Sequence, residues 1–62
     1  MEQIKSEIRK LGTQEIADQI TTLGGGRLAD VEARMVRAAL IDVYAERTSP
    51  TAAESLMDAI GL

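Results

Sequence analysis

Residues 27–47 have the sequence RLADVEARMVRAALIDVYAER and lie within the longest segment of the chain that contains neither glycine nor proline. On a helical wheel of about 100° per residue, the apolar side chains of this segment cover an arc of roughly 200°. They are Leu28, Val31, Ala33, Met35, Val36, Ala39, Leu40, Val43 and Tyr44. A helix on the surface of a small domain needs about half of that arc, so we expect the other segments to pack around this helix.

Two residues of the long helix do not match the side of the helical wheel on which they lie. Asp42 falls inside the apolar arc, where it either pairs with a cation such as Lys5, Arg9 or one from a partner, or lies in a part of the helix that extends into water. The second interpretation is favoured because buried carboxylates are rare unless they are paired. Ile41 lies in the opposite strip, an apolar residue among polar ones.

The segment before the long helix contains two shorter helical patterns, in residues 2–11 and 14–23. Each carries apolar residues at the i, i+4, i+7 spacing of one helical face. In one straight helix these two stripes would lie roughly 120° apart. We therefore predict a break at Gly12 and Thr13, with Gly12 as the C-cap of the first helix and Thr13 as the N-cap of the second. A single bent helix is the alternative.

The last predicted helix covers residues 50–60. Ser49 suits its N-cap and Pro50 its first position. Thr51 and Glu54 offer an overlapping capping box, which leaves two candidate starts. The sequence thus predicts an all-α fold, a small bundle of three or four helices at about 2–11, 14–23, 27–47 and 50–60 with a long central third helix. A chain of 62 residues has room for a single domain, residues 1–62.

Three consecutive glycines, Gly24, Gly25 and Gly26, precede the long helix. Because glycine runs give the backbone its greatest freedom, we interpret them as a hinge. Such a hinge lets the first two helices fold back on their own long helix or exchange with a second copy of the chain. A phosphate-binding backbone nest with Arg27 as counter-charge is the weaker alternative, because this segment lacks the Lys and Ser or Thr of a phosphate loop.

Composition disfavours several functional classes. The chain has no Cys and no His, which removes disulfides, the usual zinc ligands and the commonest catalytic groups. Acidic pairs such as Glu15 with Asp18 are typical of any solvated helix face, so we expect no enzyme activity, no metal and no cofactor. The net charge of −3 disfavours nucleic acid as a partner. Without a long apolar run or a signal peptide, we expect a cytoplasmic protein that does not enter a membrane.

Residues 11–20, LGTQEIADQI, resemble the first helix of helix-turn-helix DNA-binding units, in which a capped helix begins Thr-x-Glu-Ile-Ala. The resemblance implies that the next helix is a recognition helix, with Arg27, Arg34 and Arg37 as nucleic-acid contacts. After these residues the chain departs from the pattern. Thr21 takes the place of the common turn glycine, three glycines lengthen the connection, and the next helix carries acidic residues in its first turns.

One side of the long helix carries the residues that we predict as partner contacts: Arg34, Arg37, Ile41 and Tyr44. Arginine, aromatic and isolated apolar residues are enriched at protein interfaces, so we expect another protein or a second copy of the chain to bind here. The leading hypothesis is a small helical protein-interaction module that self-associates as a homodimer and acts as a regulator or adaptor of another macromolecule. A helix-turn-helix-like DNA-binding regulator is the alternative, and an acidic inhibitor of a basic site on a larger protein is the third.

Overall fold

Four helices make up the fold in a computed structural model that describes the backbone of residues 2–62 and the side chains of residues 3–62. They are α1 (Glu2–Ile8), α2 (Thr13–Leu23), α3 (Val31–Arg47) and α4 (Pro50–Ile60). The described residues contain no strand, and α3 packs against each of the other three helices. The predicted all-α bundle with a long central third helix is therefore confirmed. None of these four helices has the length and hydropathy needed to span a bilayer.

The break between α1 and α2 lies where the sequence predicts it, but its caps differ from the prediction. α1 ends at Ile8. The chain then forms a tighter turn, in which the Leu11 N–H donates a hydrogen bond to the carbonyl three residues earlier, that of Ile8, at 2.9 Å. Gly12 has an extended backbone, with φ −72° and ψ 156°, and is the N-cap of α2. The assignments of Gly12 as a C-cap and Thr13 as an N-cap are wrong, because α1 already ends at Ile8 and Thr13 is the first residue of α2.

α3 begins at Val31, four residues later than the predicted start at residue 27. The reason is Asp30, whose extended backbone and carboxylate make it an N-cap. Its side chain accepts a hydrogen bond from the Glu32 N–H at 2.9 Å, which satisfies one of the unpaired donors of the first turn. The helix is 17 residues long. That length corresponds to about 25 Å. Residues 24–30 form the connection between α2 and α3.

α4 begins at the first of its two predicted starts. The Ser49 hydroxyl accepts a hydrogen bond from the Ala52 N–H at 3.0 Å, and Pro50 occupies the first helical position. At the other end Gly61 adopts a left-handed conformation with φ 84°, which glycine tolerates without steric cost. The Leu62 N–H then donates to the Met57 carbonyl at 2.8 Å and closes the helix end.

The core lies between α3 and the inner faces of the other helices. Its buried residues are Ile8, Ile16, Ile20, Ala39, Leu40, Val43 and, on α4, Ala53. The solvent-accessible surface is 3994 Å² for a mass of 6.7 kDa. A folded monomer of this mass is expected to expose about 3,900 Å². One copy of the chain thus closes its own core as well as a typical small monomer does, and a partner would add to the fold rather than complete it.

The apolar arc of α3 is not buried evenly. Val31 and Met35, both on that arc, are 59% and 41% exposed. Ile41, which the wheel places in the polar strip, is half-buried and packs against the core. The expectation that Ile41 is an exposed apolar residue is wrong because α4 covers this side of α3. No described helix covers Val31 and Met35 to the same degree.

Candidate interaction surface

An open groove of about 290 Å³ runs between α3 and α4. Its lining residues are Arg34, Arg37, Ala38, Ile41, Asp42, Met57 and Leu62. The lining is mostly apolar, and charged side chains lie at its margin. Three of the four predicted partner contacts, Arg34, Arg37 and Ile41, are therefore brought together in one place. Tyr44 is not part of the groove and packs, half-buried, against the core.

The two arginines of the groove differ in what they contact. Arg37 is half-buried, and its Nη1 donates to the carbonyls of Gly24 and Gly26 at 2.9 and 2.7 Å. Arg34 is exposed and makes no side-chain hydrogen bond or ion pair with any residue in the range 3–62. Arg34 is thus the exposed cation of the groove, whereas Arg37 fastens the connection between α2 and α3.

Asp42 supplies an exposed carboxylate one helical turn beyond Ala38. Its Oδ2 lies 3.3 Å from the Lys5 Nζ on α1, and its side chain is 60% exposed. Both features considered for this residue are present, since it pairs with Lys5 and faces water. An ion pair this exposed stabilises the fold by about 1 kcal/mol at most.

Two arginines that the sequence analysis does not single out as structural fasten α1 to α3. The Arg9 Nη2 donates to both carboxylate oxygens of Glu46, at 3.2 and 3.3 Å. The guanidinium of Arg47 donates to the carbonyls of Arg9 and Leu11, at the C-terminal end of α1, where backbone acceptors lack helical partners. No local spacing rule relates residues 9–11 to residues 46 and 47, so no sequence signal identifies these contacts.

The three-glycine segment is anchored at both ends in this conformation. The Gly24 N–H caps α2 by donating to the Ile20 carbonyl at 2.9 Å, and the Gly25 N–H donates to the Ile60 carbonyl at 3.1 Å. Together with Arg37, these bonds hold the predicted hinge against the C-terminal end of α4. The first two amide donors of the segment are also engaged, so neither points to a phosphate.

The nucleic-acid contacts predicted as an alternative are placed separately. Arg34 and Arg37 line the groove, whereas Arg27 lies exposed in the connection before α3 and is not among the lining residues. The first turn of α3 carries Glu32 and the capping carboxylate of Asp30, so negative charge surrounds the helix start that would enter a DNA groove. This arrangement adds no support to the DNA-binding alternative, which stays a prediction.

α3 exposes a surface that we call the open face, formed by Val31, Arg34, Met35, Ala38 and Asp42, of which Arg34, Ala38 and Asp42 also line the groove. All five side chains are exposed, and the spacing of Val31, Met35 and Ala38 places them on one side of the helix. The helical wheel does not predict this face, because it places Val31 and Met35 in the arc that other segments are expected to cover. The interval of seven residues between Val31 and Ala38 is the signal that could have indicated it.

The geometry thus defines a small four-helix bundle in which the open face of α3 is exposed and continues into a groove. Within residues 3–62, no three acidic side chains lie close enough together to hold a metal ion. No protein-family model, curated protein or solved structure gives a significant match to this chain. A functional proposal therefore depends on the surface itself.

Proposed function

We propose that the protein is a small helical interaction module that self-associates and regulates or bridges another macromolecule through the open face of α3 and the adjoining groove. The observation that carries this proposal is the exposure of Val31 and Met35 on the same side of one helix. Single exposed apolar residues are normal on protein surfaces. Here they continue through Ala38 into a mostly apolar groove, and continuous apolar surface is typical of interaction sites.

The charges at the margin of this surface support a specific partner rather than indiscriminate hydrophobic contact. Arg34 and Asp42 are both exposed, have opposite signs and lie on either side of Ala38. Charged groups at the rim of an apolar patch select partners of complementary charge and penalise those with like charge. A partner that covers the open face would therefore need an acidic group near Arg34 and a basic group near Asp42.

Sedimentation equilibrium over micromolar to submillimolar concentrations tests the self-association. We expect the average mass to rise with concentration above the 6.7 kDa of one chain. Ala38→Glu should abolish this rise, because it places a charge in the centre of the open face. Ala59→Glu is the matched control, since Ala59 is an exposed residue of α4 outside the groove lining, and we expect it to behave like the wild type.

Circular dichroism checks that both variants remain folded. Ile41→Asp is unsuitable as a probe because Ile41 packs against the core, and its replacement would destabilise the fold as well as the surface. A wild-type chain that stays at the monomer mass over the whole concentration range contradicts the self-association.

A further inference from the structure

We infer that the open face of α3 is covered by the open face of a second copy, with the two α3 helices antiparallel and crossing at Ala38. This inference rests on the proposed function and adds to it the identity of the partner and the register of the contact.

The residues on this side of α3 are arranged symmetrically about Ala38. Arg34 and Asp42 lie four residues to either side of it, and Val31 and Ala45 lie seven residues to either side. In an antiparallel pair related by a twofold axis at Ala38, residues equally distant from position 38 come to the same level. Arg34 of each copy is then level with Asp42 of the other, and Val31 with Ala45. The surface is complementary to itself in charge, and the exposed Val31 is level with the half-buried Ala45.

The groups that would form the intermolecular ion pairs are available in the single chain. Arg34 has no side-chain partner among the residues that the structure describes. Asp42 contacts Lys5 through one carboxylate oxygen and remains 60% exposed. Two symmetric ion pairs can therefore form without displacing an existing contact. A parallel pair in the same register would instead bring Arg34 near Arg34 and Asp42 near Asp42, and like charges at an interface are unfavourable.

Ala38 allows the two helices to approach closely at the crossing point. Its side chain is exposed and small, and helices pack at interaxial distances of about 8–10 Å, depending on the residues at the contact. Val31, Ala38 and Ala45 are spaced by seven residues, the repeat that keeps a seam of small or apolar residues facing a partner helix. The exposed apolar side chains Val31 and Met35 flank this crossing and would lose contact with water.

The open face is small for the interface of a stable dimer. A stable interface of standard size buries about 800 Å² per partner. For a chain with a surface of 3994 Å², that is about one fifth of the total, more than one side of a single 17-residue helix offers. The expected assembly is a reversible dimer that forms in the micromolar range.

Two charge reversals test the register. R34D carries two acidic groups on the open face and D42R carries two basic ones, so each variant alone brings like charges together at both levels of the antiparallel pair. We expect each to self-associate about tenfold more weakly than the wild type in sedimentation velocity. An equimolar mixture should recover the wild-type dissociation constant within about threefold, because only the mixed dimer places opposite charges together. A mixture that associates no better than the single variants overturns the inference.

A control separates the intermolecular pair from the ion pair within one chain. D42R also removes the contact between Asp42 and Lys5. Lys5→Gln removes that contact alone and should leave the dissociation constant of the dimer unchanged. If Lys5→Gln weakens the dimer as much as D42R does, the effect of D42R comes from the position of α1, and the proposed intermolecular pair is wrong.

Disulfide cross-linking tests the orientation independently, because the chain has no cysteine of its own. Oxidation of a mixture of V31C and A45C should give the mixed disulfide, since these positions are level in the antiparallel pair. A V31C disulfide with itself indicates a parallel pair, which overturns the inference and leaves the self-association intact. A wild-type chain that is monomeric in sedimentation overturns both.

Discussion

Replacing Gly25 by alanine probes the contact that joins the connection before α3 to the end of α4. A Cβ atom at this position would lie 2.8 Å from the Gly61 carbonyl carbon and from the Leu62 nitrogen, and it would also collide with the Ile60 carbonyl oxygen. All three atoms belong to the backbone, so no side chain can turn aside to make room. Either the connection or the C-terminal end of α4 has to move.

The cost of this movement follows from two contributions. Forcing an extra carbon atom into a packed site costs about 1–3 kcal/mol. The displacement also breaks the 3.1 Å hydrogen bond from the Gly25 N–H to the Ile60 carbonyl. The loss of such a bond costs about 1 kcal/mol. We therefore expect G25A to lower the free energy of unfolding by about 2–4 kcal/mol, a large share of the roughly 3–9 kcal/mol typical of a domain of this size.

Urea and thermal denaturation followed by circular dichroism at low protein concentration measure this change. The melting temperature should fall by about 10 °C or more. G26A is the matched control, because no atom lies within 4 Å of the Cβ position at Gly26 and its φ lies outside the left-handed region. It should change the unfolding free energy by less than about 1 kcal/mol. The reasoning is refuted if G25A is as stable as the wild type, or if the two variants are equally destabilised.

Three further substitutions test other contacts of the fold. R37Q removes the charged donor to Gly24 and Gly26, and we expect a loss of about 1–3 kcal/mol in urea denaturation, whereas R34Q should leave stability unchanged. S49A removes the N-cap of α4 and should cost about 1 kcal/mol; a melting temperature equal to that of the wild type would contradict the cap. L40A removes a fully buried side chain and should lower the free energy of unfolding by about 2–5 kcal/mol. NMR at 25 °C should then show signals of a partly unfolded population, whereas M35A, at an exposed position, should stay folded.

The positions of the four helices were predictable because helix formation depends on neighbours within one or two turns. The i, i+4, i+7 spacing indicated α1 and α2, and Ser49 with Pro50 indicated the start of α4. The errors were local as well. Asp30 moved the start of α3 by four residues because its carboxylate reaches the second amide of the helix, and Gly12 became an N-cap. Glycine and aspartate are both common capping residues, but the sequence alone did not show which helix terminus Gly12 and Asp30 would cap.

The candidate surface was predictable in part. Arg34, Arg37 and Ile41 meet at one groove because residues three and four apart share one side of a helix, which the wheel shows directly. The hydrogen bonds and the burial of these side chains were not predictable. Arg37 is engaged by carbonyls 11 and 13 residues away, and Ile41 is covered by α4. Both outcomes depend on how a neighbouring segment docks, and helical periodicity carries no information about docking.

The sequence by itself determined that the chain forms helices, where they break and that the third is the longest, because these properties come from short-range spacing, capping residues, glycine and proline. Only the tertiary structure decided which faces of α3 are covered. It left Val31 and Met35 exposed, and it joined Arg9 to Glu46 across 37 residues of sequence. The physical reason is that burial depends on the simultaneous packing of α1, α2 and α4 against α3. An apolar arc wider than its neighbours can cover leaves one side open, and the sequence does not specify which side that is.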